Sequence, residues 1–320
     1  LKGTGLPTLI TIHNVHPGTG LDQISVNELI KLSVDGSLLI PTKDDRPGTV
    51  SLLAQGVNSA DFITTVSPTH ALEIQTAQFA GPLSELFRRR RDKLVGIING
   101  IDTDVFDPTT DSDIARHYSA DDLTGKSACR KDLERSVGWD QSDAPILGVV
   151  TRLTAQKGVD LIAAILPSLA PAGTRVVILG TGEPQIESQL TELAKKYPDN
   201  LKTMLRFDAP LAQKIYAGSD MFLMPSRFEP CGLGQMIAMR YGTLPVVNKT
   251  GGLADTVIDN QTGFVLEPLS SKNLLTTIER ALAVWHDHSS WATMQLTAMK
   301  QDFSWTKSAE RYIELYKQLV

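Results

Sequence analysis

From Ala144 onward, short apolar runs alternate with amphipathic segments, and this alternation restricts the fold more than any other feature of the chain. "APILGVVTRL" is a continuous run rich in Val, Ile and Leu, the pattern of a strand buried on both faces. "GVDLIAAILPSLA" reads as a helix, "TRVVILGTG" as a strand, and "PQIESQLTELAKKYP" as an amphipathic helix with Ile186, Leu190, Leu193 and Ala194 on one face. Strand "LKTMLRF", helix "APLAQKIYAGS", strand "DMFLMPS", helix "GQMIAMRYG" and strand "TLPVVNK" continue the series. Strands separated by helices of this length require right-handed crossovers, and so a parallel sheet covered on both sides.

The upstream half carries a looser version of the same pattern. Strands are expected at "TLITIHN", "ADFITTVSP" and "KLVGIINGID", and helical segments at "VSLLAQGVNS" and "PTHALEIQTAQF". They fit the second half of another α/β sheet. Asp107 to Asp143 is polar and reads as a helix-bearing linker, and the run Arg88 to Arg91 reads as a solvated helix end rather than an anion site. The 320 residues suffice for about two domains. A net charge of −5 argues against general attraction to nucleic acid or anionic membranes. The two cysteines, Cys129 and Cys231, provide no disulfide framework and suit a reducing compartment. No apolar run approaches the roughly 20 residues that span a bilayer.

In open parallel sheets, ligands sit outside the carboxyl ends of the strands. Arg152 lies just past the first strand of the regular half, with Lys157 at the start of the next helix. Gly180 and Gly182 follow the second strand, Phe207 closes the third, and Arg227 and Glu229 follow the fourth. Thr250, Gly251 and Gly252 follow the fifth. Taken singly, each has a plain reading: a surface charge, a turn glycine, a core phenylalanine, a helix-capping glutamate. Taken together, two cations beside glycine-rich turns suit a diphosphate, since glycine lets backbone N–H groups approach its oxygens. A helix starting near Gly232 adds a positive dipole end, and an aromatic ring nearby suits a base. Pro230 disfavours helical geometry at Glu229 and holds it extended. There is no GxGxxG after the first strand and no Walker-type lysine, which weighs against a dehydrogenase or a P-loop protein. The expected ligand is a nucleotide diphosphate.

These stretches carry a resemblance. "TRLTAQKGVDLI", "SRFEPCGLGQ", "YGTLPVV" and "TGGLADTV", in this order and spacing, resemble the glycogen/starch synthase family. "TIHN", "TTVSPTHALEI", "GIINGIDTDVFDP" and the C-terminal "DFSWTKSAERYIELY" are similar to it as well. The likeness covers nearly the whole chain and is loosest from about Val15 to Thr49. It implies an α/β protein of GT-B type, with two Rossmann-like, doubly wound parallel-sheet domains. The expected divisions are an incomplete N-terminal, acceptor-side domain with linker over 1–140, a nucleotide-sugar-binding domain over 141–300, and a crossover helix over 301–320. That last helix is expected to bury Tyr312, Leu315, Tyr316 and Leu319.

The resemblance further implies transfer of glucose from ADP-glucose to the non-reducing end of an α-1,4-glucan, with retention of configuration and no metal or other cofactor. By matching motif, Arg152 and Lys157 would neutralise the diphosphate, helped by the backbone at Cys231, Gly232 and Leu233, with Gly180 and Gly182 at the same rim. Glu229 would hold glucose hydroxyls, with Thr250, Gly251 and Gly252 near that sugar or its phosphate, and Phe207 would pack on adenine. His13, otherwise a turn histidine, and Asn14 match positions that face the donor glucose, and Asn99 matches one at the interdomain cleft. ADP-glucose or ADP and the glucan are the implied partners, without nucleic acid or membrane, in a bacterial cytoplasm or a plastid. Another GT-B transferase, or a non-catalytic glucan- or ADP-binding fragment, is the alternative.

The chain departs from the family in three places. It opens "LKGTGLPTLITIHN" without an initiator Met or signal pattern, and nothing matches the family's lysine–glycine–glycine loop. Ala54 stands where the family often has lysine before GxxxAD, and "HNVHPG" lacks the usual aromatic residue. The chain therefore reads as a fragment with little activity of its own, and residues 144–300 are expected to fold alone and bind ADP weakly.

Overall fold

The computed structural model describes residues 6–15, 23–32, 34–39 and 45–319. Residues 1–5 and the second half of "HNVHPG", which belong to two of the departures noted above, lie outside them. The chain forms two compact units, Leu1–Asn99 with Thr306–Val320, and Gly100–Trp305.

The first unit contains strands β1 (Leu9–Ile12), β2 (Gln23–Ser25), β3 (Thr49–Ser51), β4 (Phe62–Thr65) and β5 (Leu94–Gly96). Helices α1 (Val26–Lys31), α2 (Leu52–Ser59), α3 (Pro68–Glu73), α4 (Ala77–Ala80) and α5 (Ser84–Arg89) connect them. β1, β4 and β5 form a parallel sheet in the order β1-β4-β5, and β2 pairs antiparallel with β3. The period-2 alternation of the strands assigns the two faces. Ile63 joins Ile12, Val57, Ile74, Leu86 and Phe87 in one cluster, while its neighbour Phe62 joins Ile97 and Leu315 in another.

Leu315 belongs to the last helix, α14 (Trp305–Tyr316). Tyr312 and Leu319 pack beside it, and Ser308 Oγ donates to the Ile98 carbonyl at 2.6 Å. Tyr316, expected on the buried face, is 50% exposed instead. At helical spacing, the stripe 312–315–319 leaves it on the shoulder. Arg90 corrects the reading of the arginine run. Its guanidinium donates to the carbonyls of Val57, Asn58 and Ala60, closing the C-terminal end of α2, where helix carbonyls lack internal partners. Arg88, Arg89 and Arg91 are exposed as expected.

In the second unit, α6 (Thr124–Val137) precedes a repeated strand–helix series: β6 (Ile146–Val150), α7 (Val159–Leu169), β7 (Arg175–Leu179), α8 (Pro184–Lys196), β8 (Leu201–Met204) and α9 (Ala209–Gly218). It continues through β9 (Met221–Met224), α10 (Gly234–Arg240), β10 (Leu244–Asn248), α11 (Gly251–Thr256), β11 (Phe264–Leu266), α12 (Ser271–His286) and α13 (His288–Met299). α11, β11 and the helices after it complete the layer beyond the elements read from the sequence. All six strands are parallel, in the order β11-β10-β9-β6-β7-β8. Counted along this unit the order is 6-5-4-1-2-3, the Rossmann arrangement, and it reverses between β6 and β9.

The unit boundary falls at Asn99–Gly100, so residues 100–140 cluster with the second sheet. α6 explains this. Leu133 and Val137 are buried with Ile146, Val177 and Ile215, and Arg130 pairs with Asp220 at 2.7 Å while Asp220 accepts from the Ile146 N–H at 2.8 Å. Lys126 Nζ donates to the carbonyls of Ala217 (2.9 Å) and Tyr241 (3.0 Å) and to Thr243 Oγ1 (2.8 Å). The two carbonyls lie at the C-terminal ends of α9 and α10, whose dipoles favour a cation.

Burial pushes the Lys126 ammonium down to about 8, against an ordinary 10.5. Below pH 8 both folded and unfolded chains carry this charge. Between about 8 and 10.5 the folded chain sheds the proton first, so stability rises with pH there. Across that window, calorimetric melting should show the wild type gaining on a Lys126→Met variant, which has nothing to titrate at this position.

Candidate functional site

The chemistry-bearing residues gather where the sheet order reverses, at the carboxyl ends of β6 and β9. Lys157, on the turn Ala155–Lys157 after β6, places Nζ 2.5 Å from Oε2 of Glu229, on the loop after β9. The pair is largely buried, with side chains 15% and 8% exposed. Ser226 Oγ donates to the same Glu229 oxygen at 3.1 Å, and Asn248 at the end of β10 donates to the Ser226 carbonyl at 2.8 Å. Glu229 is therefore held by neighbours on both sides and does not cap the following helix.

A second set of bonds ties the two loops together. Arg227 grips Asp160 through two nitrogens at 2.8 and 2.7 Å, and its guanidinium also donates to the Ala155 carbonyl. Its backbone N–H donates to Gln156 O at 2.8 Å, and the Gln156 side chain donates to Phe228 O at 3.3 Å. These hydrogen bonds hold the Asp160 carboxyl below its ordinary range and raise Arg227 in return. Gly251 completes the support. It lies at φ +42°, and a Cβ there would come 1.9 Å from the Glu229 carbonyl oxygen, so no larger residue lets α11 approach this loop. Gly252 N–H donates to that same carbonyl at 3.1 Å. The "TGG" turn thus packs directly against the Glu229 loop, with Thr250 buried beside it.

Arg152 stands apart electrostatically. Among the described residues its guanidinium has no ion-pair or hydrogen-bond partner, and it lines a cavity of about 480 Å³ together with Gly180, Thr181 and Phe207. Phe207 is 91% exposed, which overturns the reading of a core residue. Its neighbours explain the exposure. Arg206 binds Asp208 at 2.8 and 3.0 Å, and Asp208 also caps α9 by accepting from the Leu211 N–H, so the ring between them is turned outward. That capping bond, followed by Arg206, lowers the Asp208 carboxyl pKa. Gly180 and Gly182 sit where the backbones past β6 and β7 meet: a Cβ on Gly182 would fall 2.1 Å from the Leu153 carbonyl.

Of the remaining expected residues, Cys231 is buried, Gly232 has φ +72°, and Leu233 is 46% exposed ahead of α10. Gln235 Nε2 donates to the carbonyls of Cys231 and Gly232, fixing their turn. His13 and Asn14 lie exposed just past β1 in the first unit, and Asn99 just past β5, on the same carboxyl edge of its sheet. Among the described residues, no group of three or more His, Cys, Asp or Glu is arranged to hold a metal ion. Sequence reasoning missed Asp160, Ser226 and Asn248, which build the site from below. Only the short spacing from Lys157 to Asp160 carried any signal, since pairing across 67 positions is not written in a local pattern.

The Arg227–Asp160 clamp should govern access to Lys157. In Arg227→Ala, acylation of Lys157 followed by peptide mass spectrometry should be severalfold faster than in the wild type. The exposed Lys195 should react unchanged, and stability should fall by about 1 kcal/mol or less, as for other partly exposed pairs. Equal Lys157 reactivity in both proteins would show that the clamp does not hold it.

Comparison with known proteins agrees with this geometry. Residues 2–89 match the family model of the starch synthase catalytic domain, and residues 131–293 that of glycosyl transferases group 1. A glycogen synthase of Lactobacillus acidophilus is 40% identical over 99% of this chain and 67% of its own length. A glycogen synthase of Anaeromyxobacter dehalogenans is 46% identical over 84% of this chain and 58% of its own length. The chain thus spans about three-fifths to two-thirds of the relatives it matches. Among solved structures, the catalytic domain of starch synthase IV from Arabidopsis thaliana, bound to ADP and acarbose, superposes with a TM-score of 0.88. It is 34% identical, over 97% of this chain and 66% of that one. With its parallel sheets, its switch-point ion pair and identity of this extent over most of its length, the chain belongs to the glycogen/starch synthase family of GT-B glycosyltransferases.

Proposed function

We propose that Gly100–Trp305 binds the nucleoside diphosphate of ADP-glucose at the rim formed by β6, β7 and β9, and that the whole protein transfers the glucose to an α-1,4-glucan. The carrying observation is the exposed Arg152 guanidinium, without a protein partner among the described residues, at a cavity bordered by an exposed aromatic ring, with a fixed Lys–Glu pair on the loops that follow β6 and β9. The ADP bound in the Arabidopsis starch synthase supports the same ligand class here. The acarbose in that structure supports a glucan-like acceptor.

Each group has a role in this reading. Cleavage of the anomeric C–O bond leaves negative charge on the departing ADP, and Arg152 stabilises it as it develops. Lys157 donates one of its three N–H bonds to Glu229 and keeps two for phosphate oxygens. Glu229, fixed by Lys157 and Ser226, has its other carboxylate oxygen for donor-glucose hydroxyls. The turn Cys231–Leu233 offers backbone N–H groups to the diphosphate, and Phe207 stacks on the base. By matching motif, His13, Asn14 and Asn99 correspond to the family's glucose-side residues. The acceptor hydroxyl attacks from the face the phosphate leaves and passes its proton to the departing phosphate oxygen, which retains configuration. The reading needs no metal or cofactor, because side-chain cations carry the leaving-group charge. A bacterial cytoplasm or a plastid suits such an enzyme, and among the described residues no helix is long and apolar enough to cross a membrane.

Titration calorimetry with ADP tests the binding half on the 320-residue chain. Arg152→Ala should bind about tenfold to a hundredfold more weakly, the loss of one charge-assisted contact. Absence of ADP affinity in a folded sample would overturn the reading. Transfer of labelled glucose from ADP-glucose to glycogen by the full-length gene product, with UDP-glucose in parallel, tests the reaction and its donor.

A further inference from the structure

We propose that Phe106, supported by Val105, is a base-selecting residue of the nucleotide cavity, a second aromatic contact that discriminates purine from pyrimidine diphosphates. The inference rests on the reading above and adds the residue that sets which nucleoside the cavity prefers. Residues 105 and 106 lie outside both matched family segments, 2–89 and 131–293. Both nevertheless line the cavity of about 480 Å³ with Arg152, Gly180 and Phe207. Tyr216 and Ile237 contribute further apolar wall. The cavity therefore has a cationic, glycine-bordered part suited to phosphate and an aromatic and aliphatic part suited to a ring.

The segment carrying Phe106 is fixed too firmly to be a passing surface loop. Asp102 Oδ1 accepts from the N–H groups of Asp104 (3.0 Å) and Val105 (3.1 Å), and the Phe106 N–H donates to the Asp102 carbonyl at 2.9 Å. On the other side Arg240 Nε donates to the Phe106 carbonyl at 3.3 Å, and the same guanidinium pairs with Asp107 at 2.6 Å. Farther along, the Tyr241 hydroxyl donates to the buried Asp111, and the Tyr118 hydroxyl donates to the Tyr241 carbonyl at 2.8 Å. Arg240 and Tyr241 end α10, the helix that begins just past the Cys231–Leu233 turn. One short helix thus carries the phosphate-side turn at its start and anchors the Phe106 wall at its end. This couples the wall's position to the phosphate site.

An aromatic wall recognises the π-face of a base, and the larger purine ring gains more from it than a pyrimidine does. Inorganic pyrophosphate, which has no base, gains nothing. The test measures binding of ADP, UDP and inorganic pyrophosphate by calorimetry to the wild-type chain and to Phe106→Ala, Phe106→Leu and Phe106→Tyr. Phe106→Ala and Phe106→Leu should lose about tenfold in ADP affinity, the scale of one base-stacking contact. They should lose less for UDP, and nothing for pyrophosphate. Phe106→Tyr should restore ADP binding. If the alanine variant does not fold, the leucine variant, which keeps much of the volume, decides the matter. ADP affinity within twofold of wild type in a folded variant would overturn the proposal. An equal loss for ADP and pyrophosphate would overturn it as well, since Phe106 would then act by packing alone. Wild-type chain that binds no ADP would refute the parent reading instead, which separates the two failures.

Discussion

The contact between Lys157 and Glu229 is the constraint around which the second unit is arranged. A lysine and a glutamate this deeply withdrawn from water lose much of their hydration. Such a pair persists only where its geometry is good and its remaining valences are met. Ser226 supplies one bond to Glu229, Asn248 holds Ser226, and Arg227 with Asp160 pins the turn that delivers Lys157. The glycines of α11 let another backbone come near enough to fix the Glu229 carbonyl. Mutually neutralised, the pair leaves Arg152 as the cation of this rim without a partner among the described residues. That asymmetry leaves one exposed cation at the rim rather than closing every charge into an internal network.

The sheet topology decides where this can happen. Between β6 and β9 the strand order reverses, the place where open parallel sheets take their ligands. Both loops end in turns that the repeated strand–helix pattern alone would treat as ordinary connections. The segment from Gly100 to α6 closes the arrangement from another direction. α6 buries Leu133 and Val137 against the sheet, and the stretch before it contributes Val105 and Phe106 to the cavity. A region that composition marks as a polar linker is therefore part of the domain, because a few apolar positions on one helix face and a handful of charged anchors suffice to dock it.

What the sequence by itself determined was the class of architecture and the roster of the rim. Continuous apolar runs spaced by helix-length segments allow little but a parallel sheet with helices on both faces, and polar residues directly after those runs must lie at its carboxyl edge. Arg152, Lys157, Glu229, the paired glycines and Phe207 were legible for that reason, since their meaning comes from neighbours a few positions away. What only the tertiary structure decided depends on partners far apart in the chain. The orientation of Phe207 followed from an Arg206–Asp208 bond, the role of Arg90 from carbonyls some thirty positions upstream, and the exposure of Tyr316 from the width of the face that α14 presents. The union of Lys157 with Glu229 spans 72 positions, and the docking of residues 100–140 onto the second sheet required their long-range anchors. Local periodicity fixes which way a backbone runs and which face is apolar, but a long-range ion pair or a shared cavity wall exists only once chain closure has brought its members together.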